Sequence, residues 1–298
     1  MPNFAKIQHI VFYIALPFIY LISLLPFPLL YAFSYGVYAL LYHVIGYRKK
    51  VVLQNLRNAF PTKSEAEINK ICKDFYRHLC DLFIETFKTL TISEKTMLKH
   101  CYFGPGSKDL FDKMAAENKS VILVLGHYGN WEWAGNTFSL LCKQQLYVIY
   151  HPLGNKHFDN LMYKMRTRFG TKLIAMKNTF KEMLANKMEL NATAFIADQT
   201  PSNNNAYWTT FMGQDTPVFW GTEIIAKKLN RPIIYLTIDK PKRGYYQMNA
   251  RMLCENPAGT AEGEISEMHT RQLEQDIIAR PEIWLWSHRR WKHKRPVV

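Results

Sequence analysis

Ser120-Val-Ile-Leu-Val-Leu-Gly126-His127-Tyr-Gly-Asn130-Trp-Glu132-Trp133 sets an apolar, β-branched run directly before a glycine, a histidine, an asparagine and a carboxylate. Val121 to Leu125 has the composition of a core strand in an α/β sheet, and Gly126 lets the chain turn at the strand's carboxyl end. His127 then falls at the rim of the sheet, where sites form in open α/β folds. Asn130 is placed to cap a helix beginning near Trp131, so Glu132 lies in its first turn, reaching back to the imidazole with support from the helix dipole. A histidine base with an orienting carboxylate follows from this order. Zinc would need a second histidine one turn on and a third ligand, and no other histidine or cysteine lies nearby, so no metal is expected. A structural histidine is the plain alternative; strand, turn, base, cap and acid in functional order favour chemistry.

Gly126-His127-Tyr-Gly-Asn-Trp-Glu132 resembles the His-x4-Asp/Glu motif of glycerolipid-type acyltransferases, and nearly the full length of the chain resembles the bacterial lipid A biosynthesis (late, or secondary) acyltransferases. Arg48-Lys-Lys-Val-Val-Leu-Gln-Asn55-Leu-Arg-Asn-Ala-Phe60-Pro61 is similar to that family's segment after the anchor, and Tyr150-His151-Pro152 through Asn155 to its Tyr-Arg-Pro-x-x-Asn box. Ala197-Asp198-Gln199, Phe211-Met-Gly213 and Pro281-Glu282-Ile-Trp-Leu-Trp286-Ser-His288-Arg289-Arg290-Trp-Lys292 are similar to its acidic, Phe-x-Gly and carboxyl-terminal segments. The resemblance implies transfer of a fatty acyl chain from an acyl thioester, of acyl carrier protein or of CoA, to a hydroxyl of a lipid A precursor, with no cofactor. It also implies one functional arginine near the end of the helix after the Tyr150 box. Arg166 and Arg168 stand two apart and cannot share a helix face; Arg168 is the preferred candidate, with Arg166 close behind. Asp198 is expected on the same rim as His127 if their strands are parallel, positioning substrate or the arginine, or else capping a turn. His151 stands where the family's box has arginine, which leaves a lysophospholipid or aminolipid acceptor open beside lipid A.

The first 47 residues differ in character. Ile7 to Tyr47 contains no Asp, Glu, Lys or Arg, and a bilayer-spanning helix needs roughly 20 apolar residues. Pro17, Pro26 and Pro28 punctuate the run, consistent with one spanning helix from His9 to Leu25 followed by an interfacial helix, or with a short hairpin. Residues 1–47 are expected to anchor an acyltransferase domain of residues 48–298. Arg48, Lys49, Lys50 and Arg57 follow the run while only Lys6 precedes it, which places that domain on the cytoplasmic side of the bacterial inner membrane.

A net charge of +14 without a nucleic-acid motif, next to an apolar leader, points to anionic membrane, an acidic carrier protein and a phosphorylated lipid rather than to nucleic acid. Five cysteines, odd in number and without a Cys-x-x-Cys pair, argue for reduced structural thiols. From Ser64 the spacing of Ile68, Ile71, Cys72, Phe75, Leu79, Leu82, Phe83, Phe87 and Leu90 predicts an amphipathic helix packed on the sheet. Beyond the motif, strands are expected near Leu146–Tyr150, Lys172–Ala175, Thr193–Ala197, Ile233–Ile238 and Gln247–Leu253, alternating with helices at His157–Phe169 and Thr222–Leu229. That alternation predicts a three-layer α/β domain with a mixed, largely parallel sheet flanked by helices. Trp284, Trp286 and Trp291 among His288, Arg289 and Arg290 suit either a membrane interface or packing against the sheet.

Overall fold

Every residue of Val121–Leu125 is buried, as a strand covered on both faces requires. In the computed structural model, which describes residues 2–201 and 206–295 with side chains from residue 9, this strand is the centre of a seven-stranded sheet. The strands are β1 (Cys101–Phe103), β2 (Val121–Leu125), β3 (Gln145–Tyr150), β4 (Lys172–Ala175), β5 (Asn191–Ile196), β6 (Ala206–Phe211), β7 (Gln214–Phe219), β8 (Ile233–Lys242) and β9 (Tyr245–Cys254). Their order in the large sheet is β1-β9-β8-β2-β5-β3-β4, and β6 and β7 form a separate hairpin. All pairings of the large sheet are parallel except β8 with β9. The mixed, largely parallel sheet expected from sequence is therefore present, with β1 and the β6–β7 hairpin as unanticipated additions.

The helices are α1 (Pro2–Leu24), α2 (Phe27–Ala39), α3 (Lys49–Ala59), α4 (Glu65–Lys88), α5 (Glu94–His100), α6 (Ser107–Ala116), α7 (Trp131–Leu141), α8 (Lys156–Thr167), α9 (Thr179–Ala185), α10 (Gly221–Leu229) and α11 (Glu264–Ala279). Successive side chains of a strand point to opposite faces, and β2 shows what each face meets. Val121, Leu123 and Leu125 pack with Phe111, Met114, Trp133 and Phe138 of α6 and α7. Ile122 and Val124 pack with Met183, Ala226 and Ile265 of α9, α10 and α11. Helix, sheet and helix thus form three layers.

Helix α4 begins at a reciprocal capping box, in which Ser64 accepts from the Glu67 amide and Glu67 accepts from the Ser64 amide. Its apolar stripe is buried at Ile68, Cys72, Phe75, Leu79 and Leu82, whereas Phe83 is exposed. A second buried stripe is polar, His78, Asp81 and Glu85, and helical periodicity of apolar residues does not reveal it. The helix packs chiefly on α1, α2 and α3 and on the turn Pro281–Ile283, so helices rather than the sheet supply most of its cover.

At the amino terminus the chain is helix, bend, helix. Pro26 and Pro28 do not interrupt a helix; they start α2, where a missing amide hydrogen costs nothing. Among the described residues the segment long and apolar enough to cross a membrane is Phe27–Ile45, 19 residues, while His9–Leu24 is shorter. Either arrangement expected from sequence, one spanning helix with an interfacial second or a short hairpin, contains the bend found at Pro26, where α1 has ended and α2 begins. Ile10, Ile14, Phe18, Leu21 and Leu24 form an exposed stripe on α1, and α2 exposes Leu29 and Phe33. The opposite side of α1 packs Phe12 and Ile19 on Leu161 and Met165 of α8, and Lys164 donates to the Tyr20 hydroxyl at 3.0 Å. The side chain of Lys6 lies outside the described residues.

Candidate active site

Parallel pairing of β2 with β5 sets Leu125 beside Ile196. Two residues past each strand end come His127 and Asp198, and the register brings them together. His127 Nδ1 lies 2.6 Å from Asp198 Oδ1. The His127 amide donates to Asp198 Oδ2 at 2.8 Å, and Trp284 Nε1 donates to the same oxygen at 2.7 Å. Three donors from two chain segments fix this carboxylate, whose side chain is 2% exposed. Burial would raise the Asp198 carboxyl, but the adjacent His127 and the three hydrogen bonds outweigh it and hold it down at about 2. With Nδ1 directed at a carboxylate, the tautomer that leaves Nε2 unprotonated is favoured.

Glu132 does not make the contact expected of it. Its carboxylate meets Arg166 in a bidentate pair, Arg166 Nε to Oε2 at 2.9 Å and Nη2 to Oε1 at 2.5 Å, with Trp131 Nε1 3.3 Å from Oε1. The reason is geometric: the first turn of α7 aims Glu132 across to α8, and a fork-shaped guanidinium matches a carboxylate better than one imidazole nitrogen does. Burial opposes the charge of both partners, yet Glu132 is lowered and Arg166 raised, because each supplies the other's counter-charge. Breaking such a buried pair by removing one member typically costs about 3–5 kcal/mol.

The order of the two arginines is also corrected. Arg166, on the last turn of α8, faces the site. Arg168 is the residue after that helix; it donates to the Thr89 carbonyl and lies over the Phe169 ring.

His127, Trp131, Glu132, Tyr150, Arg166 and Gln199 line one cavity of about 320 Å³. His127 Nε2 is 3.3 Å from the Gln199 side-chain nitrogen, and the Trp131 ring stands edge-on to the imidazole with centroids 4.9 Å apart. His151 also lines this cavity; it is exposed, with Nδ1 2.9 Å from the Pro152 carbonyl. The amides of His127 and Gly129 are engaged, by Asp198 and by the Ile283 carbonyl, whereas Arg166 Nη1 makes no hydrogen bond among the described residues.

A family model described as bacterial lipid A biosynthesis acyltransferase matches residues 1–293. The chain belongs to that family. It is 22% identical over 275 residues to the lipid A biosynthesis palmitoleoyltransferase of Escherichia coli K12, covering 92% of this chain and 88% of the relative. It is 23% identical over 278 residues to the lipid A biosynthesis lauroyltransferase of the same organism, covering 92% and 89%. A lipid A biosynthesis acyltransferase of Shigella flexneri matches at 22% over 275 residues. The protein is thus an acyltransferase.

Support for this acyltransferase's motif comes from behind it. Gly129 has φ +66, and a Cβ there would meet the Ile238 carbonyl oxygen at 2.0 Å, so only glycine fits. Gly126, taken from sequence as the turn residue, has no positive φ; a Cβ there would strike Leu273 at 2.7 Å and come within 3.3 Å of Asp198 Oδ2. Its role is close approach, and the turn belongs to Gly129. Asn130 caps α7 as expected, accepting from the Trp133 amide at 2.9 Å, and its amide nitrogen donates to the buried Glu85 at 2.9 Å. Glu85 also accepts from the hydroxyls of Tyr31 and Tyr246 at 2.8 and 2.7 Å, tying α2 and β9 to the cap of the site helix.

Burial pushes the Glu85 carboxyl up from 4.5 to about 7, against Lys240. A carboxyl raised by folding holds its proton more tightly in the native chain, so its contribution is full below pH 4.5 and is lost as pH rises towards 7. Glu85→Gln, which mimics the protonated acid, should therefore gain in Tm relative to wild type as pH rises through that window and stay constant above it. A difference in Tm that does not vary with pH would show that Glu85 does not titrate there.

Of the carboxyl-terminal aromatic and basic residues, Trp284, Trp286 and Arg290 pack inside the protein, whereas Arg289 is exposed. Trp284 and Trp286 are buried, and Trp286 Nε1 donates to the Pro281 carbonyl at 2.6 Å. Arg290 is 1% exposed, donates to the Pro217 carbonyl and lies over the Phe211 ring. His288 Nε2 accepts from the Thr200 amide at 3.2 Å, and burial lowers it to about 4, keeping it neutral. Trp284 and Gln199 are the site residues that sequence reasoning did not assign; both lie inside segments quoted for the family resemblance, which carried the only signal for them.

Proposed function

We propose that this acyltransferase moves a fatty acyl chain from the thioester of acyl carrier protein to a hydroxyl of a lipid A precursor, with His127 as general base. The observation that carries this reading is the 2.6 Å contact of His127 Nδ1 with Asp198, which leaves Nε2 to serve the cavity that Arg166 also lines. In the reaction the acceptor oxygen attacks the thioester carbonyl as its proton passes to His127 Nε2. Asp198 orients the ring and stabilises the imidazolium. Arg166, held by Glu132, offers its remaining donors to the tetrahedral oxyanion. Collapse breaks the carbon–sulfur bond, and the leaving thiolate takes the proton back from His127. Direct transfer is preferred to an acyl-enzyme: Cys101, for example, is fully buried and burial pushes its thiol up to about 12, the reverse of an activated nucleophile.

The exposed apolar faces of α1 and α2 are assigned to the bilayer, with residues 48–298 as the catalytic domain on the cytoplasmic side of the inner membrane. The two E. coli relatives carry different acyl names, palmitoleoyl and lauroyl, so the chain length is not transferred from either. One observation favours a second acceptor class: His151 stands at the cavity where the family's box has a permanently charged arginine, which suits a lysophospholipid or aminolipid less rich in phosphate. Membranes containing the wild-type protein, given acyl carrier protein thioesters with a lipid A precursor, a lysophospholipid or an aminolipid in parallel, separate these readings. Product on the lipid A precursor is expected; product only on another acceptor transfers the assignment, and acylation by acyl-CoA but not by the carrier thioester overturns the donor.

A further inference from the structure

Behind the motif, on the far side of the Gly129 turn, lies a second cavity of about 380 Å³ between α2, α4, the β8–β9 hairpin and the segment after α11. Arg77, Lys240, Lys242, Arg243 and Arg280 line it. Among the described residues its carboxylates are Asp74, Asp81 and Glu282, which leaves two positive charges in excess. Pairing within the cavity uses only part of this positive charge. Arg243 gives Nε and Nη2 to Asp81, and Arg280 gives Nε to Glu282 and Nη2 to the Lys240 carbonyl. Among the described residues the Nη1 groups of both make no hydrogen bond, nor does the Lys242 ammonium, which lies over the Tyr245 ring at 4.1 Å. Lys240, 11% exposed, is held between His78 Nδ1 at 3.2 Å and Asp81 at 3.4 Å. His78 is buried and lowered, by desolvation first and by Lys240 second, so it adds no charge of its own. Tyr35, an exposed aromatic of the apolar segment Phe27–Ile45, lines the cavity beside Pro241 and Ile283.

Spare guanidinium and ammonium donors converge here at the edge of an apolar helix face, an arrangement that matches a phosphate group at the depth of a bilayer interface. We propose that this cavity binds the phosphodiester headgroup of an anionic phospholipid, with its acyl chains against the exposed face of α2. The site is separate from the His127 cavity and rests on the reading that α1 and α2 lie along the membrane surface with their exposed apolar faces in the interfacial layer, because Tyr35 is midway along Phe27–Ile45. Two of its lining residues reach the catalytic turn: His78 Nε2 is 3.2 Å from the Gly129 carbonyl, and the Ile283 carbonyl accepts from the Gly129 amide at 3.0 Å.

The test is flotation of the purified full chain with phosphatidylcholine vesicles and with vesicles containing phosphatidylglycerol, with inorganic phosphate as competitor. Wild type is expected on both, with a preference for phosphatidylglycerol. Lys242→Gln, which breaks no hydrogen bond, and Arg243→Gln should each reduce that preference by roughly fivefold, the worth of one basic residue at an anionic surface. A charge-matched control, Lys228→Gln on α10, should leave it unchanged. No association with either vesicle would overturn the membrane reading on which the site depends. Equal association with both vesicles, or an equal loss in the Lys228 control, would overturn the headgroup site while leaving the membrane reading intact. Binding relieved by millimolar inorganic phosphate, without any preference between vesicles, would assign the cavity to soluble phosphate instead.

Discussion

Asp198→Asn is expected to lower kcat by about 10³–10⁴ with little change in KM, because asparagine can keep the hydrogen bond from Trp284 while offering an N–H where His127 needs an acceptor. The imidazole would then hold its proton on Nε2, the wrong nitrogen for a base facing the cavity, and would lose the charge that stabilises the imidazolium. Steady-state transfer to a lipid acceptor measures this directly. Glu132→Gln is the informative comparison: Glu132 contacts Arg166 and not His127, so its effect should appear without a change in the protonation of the imidazole, which NMR of labelled histidine resolves. An Asp198→Asn variant with near-wild-type kcat, and a Glu132→Gln variant in which the His127 tautomer shifts, would return the orienting role to Glu132.

His127→Ala should lose 10²–10⁴ in turnover, the usual worth of a positioned general base. The fold should survive, since the ring is at the rim and Asp198 retains the amide of residue 127 and Trp284 as donors. The measurement is single-turnover transfer beside a thermal melt. Residual activity should depend on Arg166, which still lines the cavity. A variant that folds and transfers at the wild-type rate would remove His127 from the mechanism.

Much of the architecture was legible in local sequence because it is set by local rules. β2 was visible as an uninterrupted apolar run, β4 at Lys172–Ala175 and α10 within a residue of its start, α4 from the spacing of its apolar side chains, and α7 from its Asn130 cap. The β6–β7 hairpin was not anticipated, and it lies apart from the large sheet whose alternation with helices guided the rest. The family resemblance gathered Asp198, Gln199 and Trp284 into quoted segments without saying what they touch.

The amino-acid sequence by itself determined the strand, the Asn130 cap and the histidine at the strand's end, together with the apolar leader and the basic excess. It did so because propensity, capping and hydrophobic period act over a few residues. Which carboxylate meets the imidazole was decided only by tertiary structure. Glu132 is five positions away in sequence, but the first turn of its helix points it at Arg166; Asp198 is 71 positions away, and the parallel register of β2 and β5 sets it against His127. The same holds for Arg166 over Arg168, where two residues of helical rotation separate the cavity from the Thr89 carbonyl. Contacts of that kind depend on how strands pair and helices pack, and no pattern within a single segment encodes them.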